Sequence, residues 1–155
     1  MKKMMMSFSL AGFLGIAMMS QAVAQVNVKN AWVRATVGPQ KTTGAFLQIE
    51  TKNEVNLVKV ESKAAGMVEI HEMQMDGGVM KMREVDKVNC PAGKVTELSP
   101  GGFHIMLMNL KKQAKEGDQI PLTLSFEDRQ GKKQVVSINA TVKSMATSST
   151  PMTMH

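Results

Sequence analysis

The chain has 155 residues, 43% of them hydrophobic and 21% charged, with a formal charge of +6, which suits one domain with its own core. It contains no Tyr, one Trp and one Cys, so it lacks the aromatic platforms on which nucleic-acid binders stack bases, and a monomer can form no disulfide. Methionine is the outlier, with 16 residues against three histidines.

Residues 1–24 read as an export signal. Lys2 and Lys3 precede a largely apolar run from Phe8 to Met19, and Ala22-Val23-Ala24 supplies the small residues of a cleavage site. The run falls short of the roughly 20 apolar residues of a membrane span, so none is expected after cleavage. Without Lys2 and Lys3 the charge falls to +4, with Lys and Arg scattered among acids, and no nucleic-acid partner is expected. Ten methionines stay with the mature chain, gathered between 67 and 108 and at the C-terminus, more than gap-filling in a core of this size needs. Thioethers cannot form disulfides, which suits a soft-metal site in an oxidising compartment.

From residue 25 the pattern is one of short strands. Val26 to Val28 and Ala31 to Ala35 come first, with Trp32 read as a core anchor, and Gly38-Pro39 breaks the run. Gly44 to Ile49 and Val55 to Val60 follow, then a hairpin over 67–86. Val88 to Lys94 bends at Pro91 and Gly93, with Cys90 as a small, half-buried residue before the bend. Val95 to Leu98 is short, and the turn Ser99-Pro100-Gly101-Gly102 delivers Phe103 to Met108, with Phe103, Ile105 and Leu107 facing the core and His104, Met106 and Met108 facing away. Lys111 to Asp118 reads as loop, and Ile120 to Phe126 with Val135 to Val142 form a last hairpin. About seven or eight strands without a 3.6-residue period predict a single all-β domain, an antiparallel β-sandwich, over 25–143. Residues 144–155 read as a flexible tail, in which Met152, Met154 and His155 are a candidate second metal site.

The chemistry concentrates between His71 and Met106. With Gly77 and Gly78 as a two-residue hairpin loop, Asp76 faces Val79, Met75 faces Met80, Met73 faces Met82 and His71 faces Glu84. His71, Met73, Met75, Met80 and Met82 then share one side of the ribbon, whereas a three-residue loop would send Met80 and Met82 to the other. Taken singly, each histidine reads as a hydrogen-bonded core residue and each methionine as packing. Taken together, two imidazoles and two thioethers form a neutral, soft donor set for Cu(I). Zinc would recruit a Cys or a carboxylate; none stands on the His71 and His104 faces except Glu84, across from His71, and zinc is the weaker alternative. Cys90 has no His within ten residues, against a blue-copper arrangement. Met73 is the nearest competitor for ligation, and Met67, Met75, Met80 and Met108 read as rim or packing.

His71, Met82, His104 and Met106 stand in the spacing H-x10-M-x21-H-x-M, which resembles the signature of the periplasmic copper chaperone family PCuAC. The likeness extends to Ala31-Trp32-Val33-Arg34-Ala35, Thr43-Gly44-Ala45, Gly77-Gly78-Val79-Met80-Lys81-Met82-Arg83, Pro91-Ala92-Gly93 and Pro100 to Met108. The resemblance implies a monomeric, cupredoxin-like β-sandwich of Greek-key type. It implies a non-enzymatic protein of the Gram-negative periplasm, holding one Cu(I) through His71, Met82, His104 and Met106. It further implies delivery to the copper domain of cytochrome c oxidase (subunit II or I) alongside a Sco-type protein, and a second copper, Cu(II), on the tail. Copper sequestration, and an exported interaction module with a Met-rich patch, are the alternatives. Cys90 departs from the family's usual apolar residue.

Overall fold

The structure, a computed structural model, describes residues 25–145. The expected export signal, and Met152, Met154 and His155, lie outside the described residues. Ten strands make up the domain: β1 (Val26–Arg34), β2 (Thr43–Thr51), β3 (Val55–Glu61), β4 (Ala65–Asp76), β5 (Val79–Glu84), β6 (Val88–Cys90), β7 (Thr96–Leu98), β8 (Phe103–Leu110), β9 (Gln119–Asp128) and β10 (Lys133–Lys143). Ten exceeds the seven or eight expected, because the short β6 and β7 pair as strands in their own right, β6 with β3 and β7 with β2.

The hydrogen-bonded order is β5-β4-β8-β2-β1-β10-β9-β3-β6. β3 and β4, near opposite ends of this path, also pack against each other, so the ladder folds over and its inner faces close on one core. Alternation fills that core. Ala45, Leu47 and Ile49 of β2, Ile105 and Leu107 of β8, and Leu122, Leu124 and Phe126 of β9 are all essentially inaccessible. The all-β, cupredoxin-like sandwich expected from the sequence is the fold. One pairing is not antiparallel: β1 runs parallel to β10, with Trp32 opposite Thr141 and Arg34 opposite Lys143.

Two asparagines reset which side chains face inward. Asn30 has φ of 52°, and the β1–β2 register shifts between Lys29 and Trp32. This bulge joins the two expected pieces into one strand and exchanges its faces. Val26 points to the core before it and Val33 after it. Trp32 consequently faces outward, half-buried, and is not the core anchor expected. Asn109, with φ of 54°, turns Leu110 back into the core at the end of β8.

Cys90 is fully buried and not half-buried, because β6 pairs along the edge of β3 with Cys90 opposite the buried Val55, so its side chain shares the core-facing side. Burial pushes its thiol above the ordinary value of 9.0.

Candidate metal centre

The β4–β5 hairpin has the two-residue loop. Gly77 and Gly78 take φ of 59° and 80°, both positive as a type I′ turn requires. The register pairs His71 with Glu84, Met73 with Met82, Met75 with Met80 and Asp76 with Val79. On its other edge β4 meets β8, where His71 lies directly opposite His104, Glu69 opposite Met106 and Met67 opposite Met108. Residues 71, 82, 104 and 106 therefore belong to one face of the β5-β4-β8 layer. That face is the outer one, since Ile70, Ile105 and Leu107 point into the core.

A cleft opens on this face. Its lining includes Met73, Met82, His104 and Met106 together with Arg34, Gly44 and Phe46. His71 does not line the cleft. Its ring lies just beside it, 5.9 Å centroid to centroid from that of His104 and edge-on at 63°.

The turn before β8 fixes His104. Gly102 N–H donates to the Ser99 carbonyl at 3.1 Å, and Gly101 sits at φ of 91°, as in a type II turn with Pro at its second position. The Gly102 carbonyl then accepts twice: from the Met73 amide at 3.2 Å and from His104 Nδ1–H at 3.1 Å. A carbonyl can only accept, so Nδ1 of His104 carries the hydrogen of this bond, and Nε2 is the ring nitrogen left for a ligand.

His71 is arranged the other way round. Its Nε2 bonds Glu69 Oε2 at 2.7 Å, whereas its Nδ1 is buried without a hydrogen-bond partner. A buried polar atom left unsatisfied costs about 1–3 kcal/mol. The chain thus presents one committed and one available nitrogen on each ring, the arrangement by which outer-shell partners orient metal-binding histidines. Glu69 is a carboxylate that the sequence reading overlooked on this face. It lies two residues before His71 on the same strand, so the same-face rule that paired the methionines would have found it.

An aromatic wall backs His104. Phe46, buried on the outer face, is 6.4 Å from the His104 ring and 4.6 Å from that of Trp32, and the Arg34 guanidinium carbon sits 5.7 Å above it. Gly44 makes room for that ring, since a Cβ there would lie 2.9 Å from Phe46 Cζ. Among the described residues no group of three or more His, Cys, Asp and Glu is placed to hold a metal. The donors that line the cleft are the thioethers of Met73, Met82 and Met106 and the His104 imidazole, with the His71 ring beside it, and such donors select soft ions over hard ones.

Comparison with known proteins places this arrangement. Residues 26–153 match the family model described as "Putative lipoprotein LpqE-like". The chain belongs to the LpqE-like family. The LpqE-like chain is 35% identical over 135 residues to Lxx21020 of Leifsonia xyli subsp. xyli, which also bears a lipoprotein name, covering 77% of each. Among solved structures it is similar to CuI-DR1885 from Deinococcus radiodurans, with 25% identity, a TM-score of 0.55 and 83% of each chain covered. It is also similar to the copper-bound PCuAC domain from PmoF2, with 21% identity, a TM-score of 0.61, and 80% of this chain and 97% of that one covered. The second likeness shows the fold alone: the LpqE-like chain has the fold of PCuAC domains. Among the described residues no helix is long and apolar enough to cross a membrane.

Proposed function

We propose that this LpqE-like protein is a copper carrier that takes Cu(I) as cargo on His71, Met82, His104 and Met106, with Met73 beside them. The observation that supports this most directly is the His71 ring, its buried Nδ1 without a hydrogen-bond partner, lying edge-on 5.9 Å from the His104 ring beside a cleft lined by Met82 and Met106. The relative DR1885, solved with CuI, adds independent support.

Each residue has a role in capture and release. Four neutral donors leave the bound ion with its single positive charge, so binding and release need no proton or electron transfer. The aromatic wall keeps water from the His104 side. Met82, 48% exposed at the sheet edge, is the donor a partner reaches first, which permits exchange one ligand at a time. Absence of a thiolate keeps the ion transferable. The protein acts in an exported compartment, the Gram-negative periplasm, and as a carrier it is not an enzyme. Its recipients are copper centres such as that of cytochrome c oxidase, with a Sco-type protein as co-worker. The tail residues Met152, Met154 and His155 would hold a second copper, Cu(II).

The test is Cu(I) affinity by competition with a Cu(I) chelator. His104→Ala and Met106→Leu should each weaken binding by about a hundredfold or more, as losses of this kind cost a few kcal/mol, with unchanged far-UV circular dichroism. Unchanged affinity would remove the site. Transfer to the apo copper domain of an oxidase, as against retention, separates delivery from sequestration.

A further inference from the structure

We propose that Met75 and Met80 form a second, weaker Cu(I) site at the tip of the β4–β5 hairpin, through which the ion passes on its way into and out of the cleft. The inference rests on the copper reading above and extends it.

The two methionines were expected as rim or packing residues, yet they pack against little. Met75 is 66% exposed and Met80 46%, and every residue of β5 is exposed. With Met82 the two methionines make a contiguous exposed apolar stripe along one face of a sheet edge, and it is contiguity that marks an interaction site.

The register supplies one. In a hairpin with a two-residue loop the pair flanking the loop, Asp76 and Val79, is hydrogen-bonded, and the pairs alternate from there. Met75–Met80 and Met73–Met82 are therefore both non-hydrogen-bonded pairs, the kind whose Cβ atoms approach to about 4.5–5.5 Å. Two thioethers on flexible stems at that spacing can grip one soft ion between them.

The next pair stands two residues along the strand, roughly 7 Å away on the same face, and includes Met82 of the cleft. The opposite face of the hairpin is polar, with Lys81 on Asp76 at 2.7 Å and Arg83 on Glu72 at 3.6 Å. The thioethers thus form a one-sided ladder from the exposed tip to the imidazoles. Movement along it exchanges one neutral donor for another, so charge and oxidation state stay constant. Two thioethers bind less tightly than a set that includes two imidazoles, which makes the tip the exchange point and the cleft the store.

The experiment follows methionine methyl resonances of the methyl-13C-labelled protein during titration with Ag(I), a redox-inert stand-in for Cu(I). The first equivalent should move the Met82 and Met106 methyls, and the second those of Met75 and Met80, each assigned by single Met→Leu substitution. A Met75→Leu/Met80→Leu variant, isosteric and at exposed positions, should keep the first-equivalent shifts and first-site affinity. It should lose the tip site and pass Cu(I) to bicinchoninate roughly tenfold more slowly, through loss of a locally concentrated ion. Static Met75 and Met80 methyls, or an unchanged transfer rate in the variant, overturn the proposal. If the Met82 and Met106 methyls are static as well, the copper reading falls with it.

Discussion

At the scale of single residues, the site is prepared by hydrogen bonds that commit one nitrogen of each histidine. Glu69 is the positioning residue for His71, and Glu69→Ala should lower Cu(I) affinity by about 10–100-fold, the usual effect of removing an outer-shell partner. Glu69→Gln, which retains an acceptor oxygen, should keep most of it. Ring 15N shifts check the cause: in the Ala variant His71 should lose its fixed Nε2–H tautomer, while His104, held by the Gly102 carbonyl, should not change. Cys90 poses a different question. Its thiol is held above 9.0 by burial, so the folded state binds that proton more tightly than the unfolded one. The resulting stability is fully present below pH 9.0 and is lost as pH rises through the higher folded-state value. Melting curves from pH 8 upward should show the wild type losing Tm relative to Cys90→Ala only above about pH 9, and native Cys90 should resist iodoacetamide until the protein unfolds.

At the scale of elements, the hairpin decides which donors meet. Inserting one Thr between Val79 and Met80 turns Met80 and Met82 to the Asp76–Lys81 face, and Cu(I) affinity by chelator competition should fall more than about tenfold. Inserting two residues should restore it. This element was legible in the sequence because Gly77-Gly78 favours the two-residue loop over the three-residue one, and loop length fixes parity. The face of β8 was legible for the same reason, from simple alternation. Other features depended on tertiary context. Trp32 carried a core signal in its size and apolarity, but the bulge at Asn30 lies upstream and reverses the strand's faces. Nothing in Val88-Asn89-Cys90 separates a three-residue strand from a bend until β3 offers an edge to pair with. Glu69 shares the outward parity of His71, so alternation reaches its face, whereas its bond to His71 Nε2 depends on side-chain rotamers that alternation does not set.

At the scale of the whole molecule, the core owes nothing to the site. Ile49, Leu57, Leu124 and Phe126 are inaccessible on the inner faces, whereas the proposed ligands lie on the outer face. Chelator-treated protein should therefore retain its far-UV circular dichroism and melt cooperatively. Free Cu(I) at about a hundred times the dissociation constant should then add about 2.7 kcal/mol and raise Tm by several degrees. A melt indifferent to Cu(I) would show that the folded chain does not prefer the ion.

The parallel pairing of β1 with β10 bears on how the molecule is assembled. β10 stands between β1 and β9, so until it arrives the ladder is two unjoined pieces, one ending at the first strand and the other at β9. A polypeptide delivered N-terminus first, from a ribosome or through a translocation pore, cannot join those two hydrogen-bonded ladders until residues near Lys143 have emerged. Strand β10 is the clasp, and β1 has to wait for it to complete its parallel edge.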